Sequence, residues 1–304
     1  MLVRIFLLAM LLLNSGCSVV GMVDNHQQKQ LISNGFELHD LTLAQGGSLH
    51  YWQGGDKSKP CVILLHGFGG TGLTSWYEIM QNISDDYYVI VPDLLWFGES
   101  YSGMPANISS QSTAISALIN HLNLSTVNLV GISFGGFVTF DLMIQEPKVN
   151  KAIMLASPGL VFTDEDMHQM TQRFGKTKPE SVFVPRDKEG VRLLLEHTFV
   201  DYPWYPGFID EQVYQTYFAS FQQQKASLIT TLPAYRDSLH PQDIKPNLPP
   251  SLLIWGDKDI VFPLAKGVEF SQYLNAEIKV IPGGAHGLSN DFPEQISQSI
   301  KEFF

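Results

Sequence analysis

The sequence predicts an α/β protein: a mostly parallel central sheet with helices on both faces and an inserted helical cap. Three observations carry this expectation. Short apolar runs rich in Val, Ile and Leu recur along the chain: CVILLH (61–66), YVIVPD (88–93), VNLVGI (127–132), KAIMLAS (151–157), SLLIWG (251–256) and EIKVIP (277–282). Strands buried on both faces of a parallel sheet read as such continuous runs, whereas half-exposed strands alternate. Helical patterns lie between several of the runs, as at 110–122, and another closes the chain at 293–304; that alternation marks an α/β layer architecture. Between KAIMLAS and SLLIWG no buried strand pattern occurs.

Taken in order, residues 36–52 read as an opening antiparallel pair turning at Gln45-Gly46-Gly47, since glycine supplies the positive φ that tight hairpins need. The six apolar runs follow as strands. In the long gap, Val213, Tyr217, Phe218, Phe221, Lys225 and Leu228 keep helical spacing with one mostly apolar face. We therefore expect a core of residues 36–159 and 237–304, with 160–236 as the helical cap.

The chain has 304 residues, 44% of them hydrophobic and 16% charged, which describes a large packed core and not a disordered segment. A formal charge of −11 argues against a nucleic-acid partner, because phosphate binding needs clustered Lys and Arg. The two cysteines, Cys17 and Cys61, offer no disulfide framework; Cys61, inside a strand run, reads as a buried thiol. The histidines lack metal-ligand spacing. No metal, cofactor or protein partner is expected.

The opening MLVRIFLLAMLLLNSGC reads as an export signal, with Arg4, then the apolar run 5–13, then Ser15-Gly16. Nine apolar residues are too few to span a bilayer, which takes about 20. A cysteine directly after Ser-Gly is similar to the lipobox of bacterial lipoproteins, although Asn14 stands where those signals usually carry an aliphatic residue. The expectation is a signal peptide at 1–16, lipidation at Cys17 and a polar tether over 17–35. The protein would then be exported and membrane-anchored, in the outer membrane or periplasm; the alternatives are ordinary secretion and an uncleaved anchor.

The chemistry centres on Ser133, set in VNLVGISFGGF between a strand pattern and a helix pattern. A nucleophilic serine needs a base, an acid to orient the base, and donors for an oxyanion. Gly131 and Gly135 flank the serine where side chains would clash, and Gly136 lets the following helix approach the strand. Downstream, WGDKDIVFP and PGGAHGLSNDFPE each follow a strand run directly, which places Asp259 and His286 in loops at the carboxyl ends of strands. The order serine, acid, histidine is that of the nucleophile-elbow hydrolases. Asp257 is the rival acid; it stands nearer the strand end, where its own turn can satisfy it. HGFGG (66–70) ends the first buried strand, nominating the amides of Phe68 and Phe134 as an oxyanion hole, with His66 holding the loop.

HGFGG, DLLWFGES, GISFGGF, IWGDKDIVFP and GGAHGLSNDFPE together resemble successive signatures of the α/β-hydrolase superfamily, spanning residues 61–304. The likeness extends to its capped bacterial lipases and membrane-associated monoacylglycerol lipases. It implies the α/β-hydrolase fold, a Ser133–Asp259–His286 triad and an oxyanion hole at Phe68 and Phe134. Trp96 departs from the pattern, because the family usually has glycine there, and could wall the site with an aromatic ring. Phe68, Trp96 and Phe162 are the candidate substrate contacts, helped by other cap aromatics such as Phe183, Phe199, Trp204, Phe208 and Tyr217.

The implied reaction is cleavage of carboxylic esters through an acyl-enzyme, with acylglycerols as the favoured small-molecule substrate. Epoxide hydrolases and haloalkane dehalogenases of the superfamily use an aspartate nucleophile, so Ser133 argues against both. Carbon–carbon bond hydrolases and cofactor-free haloperoxidases keep the serine, and a non-catalytic lipid-binding protein on the same scaffold is a further alternative.

Overall fold

A computed structural model describes residues 18–239, 244 and 248–304. The expected signal peptide and Cys17 lie outside the described residues. Within them the strands are β1 (Glu37–Thr42), β2 (Gly47–Gly54), β3 (Cys61–Leu65), β4 (Tyr88–Pro92), β5 (Tyr101–Ser102), β6 (Val127–Ile132), β7 (Val149–Leu155), β8 (Ser251–Gly256) and β9 (Glu277–Ile281). They form one sheet in the order β1-β2-β4-β3-β6-β7-β8-β9, with β5 paired on β2. β1, β2 and β4 pair antiparallel, and every pair from β4–β3 through to β8–β9 is parallel. Each apolar run of the sequence is a strand, although KAIMLAS sits two residues late relative to β7.

β3 shows why these runs lack alternation. Cys61, Ile63 and Leu65 enter one apolar layer, with Ile115, Leu129, Phe140 and Phe270, while Val62 and Leu64 enter the other, with Trp76, Ile79, Ile296 and Ile300. Helices α3 (Ile108–His121), α4 (Phe134–Gln145) and α11 (Leu264–Leu274) cover the first face. Helices α2 (Gly72–Ile83), α12 (Leu288–Asp291) and α13 (Pro293–Phe303) cover the second. Burial pushes the Cys61 thiol up to about 12, so it is an inert core group.

Between β7 and β8 the described chain has no strand. It forms a short 3₁₀ turn at Gly159–Val161, then α5 (Asp164–Arg173), α6 (Glu180–Phe183), α7 (Lys188–Thr198), α8 (Gly207–Val213), a π-helical turn Tyr214–Phe218, α9 (Gln222–Thr230) and α10 (Leu232–Ser238). The helical spacing read over 213–228 is met by helix that is interrupted twice, by the π turn and by Phe221 at φ +55°. Phe218, in the π turn, packs on Gly69, where a Cβ would sit 2.7 Å from its ring.

Residues 17–35 are not a tether over their described part. Val19–Ser33 is helix α1, capped by Ser18, whose side chain accepts from the Gly21 amide. Val20 and Leu31 are buried, and Gln212 Oε1 accepts from the Val19 amide at 2.8 Å. The Tyr217 hydroxyl donates to both Asp24 oxygens at 2.6 and 2.7 Å. The polar composition hid a stripe one residue wide, Val20, Asp24, Gln27 and Leu31, recurring at helical spacing.

Candidate active site

Ser133 sits between β6 and α4 at φ +53°, ψ −118°, a conformation that costs a non-glycine residue about 1–3 kcal/mol. Three surrounding approaches hold it there. A Cβ on Gly131 would meet Thr139 Oγ1 at 2.2 Å, one on Gly135 the Leu65 carbonyl at 2.2 Å, and one on Gly136 the Ser157 Cβ at 2.3 Å. None of these three has positive φ; their requirement is space, and the strained φ belongs to the serine itself.

The histidine and the acid arrive from the loops after β9 and β8. Ser133 Oγ lies 2.9 Å from His286 Nε2, and His286 Nδ1 lies 2.9 Å from Asp259 Oδ2. With Nδ1–H donating to the carboxylate, Nε2 is free to accept from the serine hydroxyl. All three side chains are buried. Asp259 Oδ1 is occupied separately by the amides of Val261 and Phe262 at 2.8 and 2.9 Å, so both oxygens are fixed. Arg173 of α5 donates to the carbonyls of Ile260 and Val261 at 2.9 and 3.2 Å, bracing the same loop.

Asp257 plays a different part from either expectation. It is exposed, and its Oδ1 accepts from the Gly283 amide at 2.7 Å, joining the acid loop to the histidine loop instead of closing its own turn. The Lys258 amide adds a second tie, to the Gly284 carbonyl at 2.9 Å. On the far side, the Gly287 amide donates to Thr198 O at 2.7 Å, so α7 holds the histidine loop.

The Phe134 amide is the first N–H of α4 and has no acceptor within the helix. The Phe68 amide lies in the turn after β3, and among the described residues neither amide has a hydrogen-bond acceptor. The rings of Phe68 and Phe134 meet edge to face at 5.0 Å. His66 bonds backbone on both sides: its Nε2 accepts from the Leu94 amide at 2.9 Å and its Nδ1 donates to Gly67 O at 2.7 Å. Complete burial lowers its pKa to about 4, keeping it neutral.

Two cavities meet at Ser133. The wider, about 230 Å³, is bounded by Phe68, His286, Leu194, Phe199, Val213 and Tyr217, with the polar residues Thr74, Ser75 and Asn290 also lining it. The narrower, about 20 Å³, is apolar apart from Ser133 and is lined by Phe134, Phe137, Phe162, Met167, Met170 and Phe262. Phe68 and Phe183 border both. A third space continues from the narrow one past Phe162, Met167 and Leu232 toward Arg236.

Of the candidate substrate contacts, Phe68 and Phe162 border these cavities and Trp96 does not. Trp96 is buried at φ +69° and faces a separate polar cavity with Asp24, His50, Asp93 and Lys225. The positive φ accounts for glycine being usual at that position. Leu194, Val213 and Asn290 were not legible as site residues, because each carries only an ordinary helix or loop pattern.

The sequence matches the family model of the alpha/beta hydrolase fold over residues 60–292. It is 27% identical to "Epoxide hydrolase 3" of Xenopus tropicalis over 278 residues, covering 85% of this chain and 75% of that protein. It is 26% identical to "Lipase 1" of Psychrobacter immobilis over 227 residues, covering 73% and 69%. Among solved structures, that of a membrane phospholipase A described as a bacterial virulence factor superposes with a TM-score of 0.75 at 20% identity, covering 99% of this chain and 97% of that one.

Proposed function

The chain belongs to the α/β-hydrolase fold family, and we propose that it is a serine hydrolase cleaving carboxylic esters, acylglycerols above all, through an acyl-enzyme. The observation that carries this reading is the hydrogen-bonded line Ser133–His286–Asp259 at the junction of two cavities of unequal size and polarity.

In this reading His286 Nε2 takes the Ser133 proton as Oγ attacks the ester carbonyl, and Asp259 stabilises the imidazolium that forms. The Phe68 and Phe134 amides, which have no other acceptor among the described residues, hold the developing oxyanion. His286 then protonates the leaving alcohol, and water releases the acyl group by the same route. The apolar slot takes the acyl chain and the wider cavity the alcohol, whose hydroxyls find Thr74, Ser75 and Asn290. A slot of about 20 Å³ admits little more than one water-sized sphere as it stands, which argues against long acyl chains. Met167 and Met170 can rearrange for medium ones.

Ser133 also argues against epoxide hydrolysis, because the resemblance implies an aspartate nucleophile for the epoxide hydrolases of the superfamily. Export and anchoring through lipidated Cys17 belong to the same proposal, since tethering at a membrane suits a lipid substrate. A p-nitrophenyl ester series and an acylglycerol panel, each with Ser133→Ala, test the whole. Activity peaking at short-to-medium chains and lost in the variant supports it. Full activity in Ser133→Ala sinks the mechanism, whereas preference for acetyl over every longer chain sinks the acylglycerol assignment alone.

A further inference from the structure

Most large apolar side chains of this protein are buried, but a group around the start of α1 is not. Trp204 is 83% exposed, Met22 62% and Phe208 56%, with Val19, Val23 and Val200 also open to solvent. Hydrogen bonding places the two halves of the group side by side. Gln212, one helical turn after Phe208 on α8, accepts from the Val19 amide at 2.8 Å. Met22 and Val23 lie one turn beyond Val19 on the same face of α1. Exposed apolar clusters of this kind mark interaction surfaces.

We propose that this patch is the surface on which the protein rests against a lipid bilayer. The sequence leading to it supplies the argument for that occupant: the apolar run 5–13 ends nine residues before Met22, and Cys17 stands two residues before Val19. Whatever holds the N-terminus in a membrane brings Val19, Met22 and Val23 to the interface. Trp204 in the loop before α8 and Phe208 in its first turn are residue types suited to the headgroup boundary. The acidic chain, at −11, gains nothing from anionic lipid, so apolar insertion and not charge drives the contact.

The patch also adjoins the site. Val200 follows Phe199, and Gln212 precedes Val213; Phe199 and Val213 both border the wider cavity. Tyr217 borders that cavity while bonding Asp24 of α1. Substrate drawn from the bilayer would therefore enter beside the surface that touches it. This consequence rests on the hydrolase reading; the contact itself does not.

Trp204 allows a direct test. The other four tryptophans, Trp52, Trp76, Trp96 and Trp255, are each at most 3% exposed. The full chain is reconstituted with phosphatidylcholine vesicles whose acyl chains are either plain or brominated. The expected result is quenching of emission by brominated lipid, absent in Trp204→Phe and weakened in Met22→Ser/Phe208→Ser, with no dependence on salt. Hydrolysis of a water-soluble ester is followed in parallel, so failure of the proposed chemistry registers separately. Equal emission in the two vesicle types, or no vesicle binding, overturns the proposal. So does unquenched, blue-shifted emission from a species of doubled mass, which would mean that a second copy covers the patch.

Discussion

His286 and Asp259 are joined through one carboxylate oxygen only, Nδ1 to Oδ2 at 2.9 Å. The other oxygen is held by two loop amides, so the imidazole is oriented by a group that cannot itself rotate. In Asp259→Asn an amide N–H can face the histidine and the wrong tautomer forms. We expect kcat to fall on the order of 10⁴-fold. Asp257→Asn should keep kcat near wild type and lower the unfolding midpoint, because Asp257 joins loops and touches no reacting group. Steady-state kinetics and urea unfolding on both variants decide; a greater loss of kcat in Asp257→Asn would reverse the assignment.

Strain at Ser133 predicts opposite effects on activity and stability. Ser133→Ala and Ser133→Gly both remove the nucleophile and the bond to His286, but only glycine relaxes φ +53°. Relief of about 1–3 kcal/mol, less about 0.4–1 kcal/mol of extra unfolded-chain entropy, should leave Ser133→Gly roughly 1 kcal/mol more stable than Ser133→Ala. Urea denaturation compares the two inactive proteins.

At Trp96 the balance inverts. Glycine would relax φ +69° but would empty a fully buried indole site, a loss of about 3–5 kcal/mol for Trp-to-small changes. Trp96→Gly should therefore be strongly destabilised, yet at low temperature hydrolyse a soluble short-chain ester at near wild-type KM. Phe162→Ala should do the reverse, shifting preference toward longer acyl chains by opening the slot to the space beyond it. Chain-length profiles at 10 °C would show which ring belongs to the site.

Two buried groups oppose each other in mild acid. His66 stays neutral down to about pH 4 when folded, but in the unfolded chain it protonates near its ordinary value of about 6.5. Between those values the unfolded state holds more protons, so stability falls as pH is lowered, by roughly 3 kcal/mol over the window. Burial raises Asp93 to about 6; there the folded state holds more protons between about 3.8 and 6, and stability falls as pH rises. Wild type should show a shallow profile from pH 4 to 6.5. His66→Gln keeps a donor and an acceptor for Gly67 and Leu94 but removes one arm, leaving stability that falls with rising pH. Parallel profiles for the two proteins would refute this account.

The sheet, and the serine, acid and histidine proposed to react, are legible in the residues alone. A strand buried on both faces must be apolar throughout, so β3, β4, β6, β8 and the buried end of β7 are visible without knowledge of their partners; the edge strand β9 shows instead by its Ile-Lys-Val-Ile run before the histidine loop. Glycines at 131, 135 and 136 register backbone approaches that no side chain survives, so the turn at Ser133 is legible too. What each apolar or polar residue faces comes from packing alone. Periodicity reports that a side chain is covered, not by what. Trp96 thus reads like Phe162 until the sheet places them in different cavities, and the aromatics between β7 and β8 divide between cavity wall and open surface. The same holds for α1, whose one-residue stripe acquires meaning only when Gln212 and Tyr217 come to meet it. Asp257 and Asp259, two residues apart, were told apart by loop register: parallel pairing of β8 with β9 brings Gly283 to one and His286 to the other.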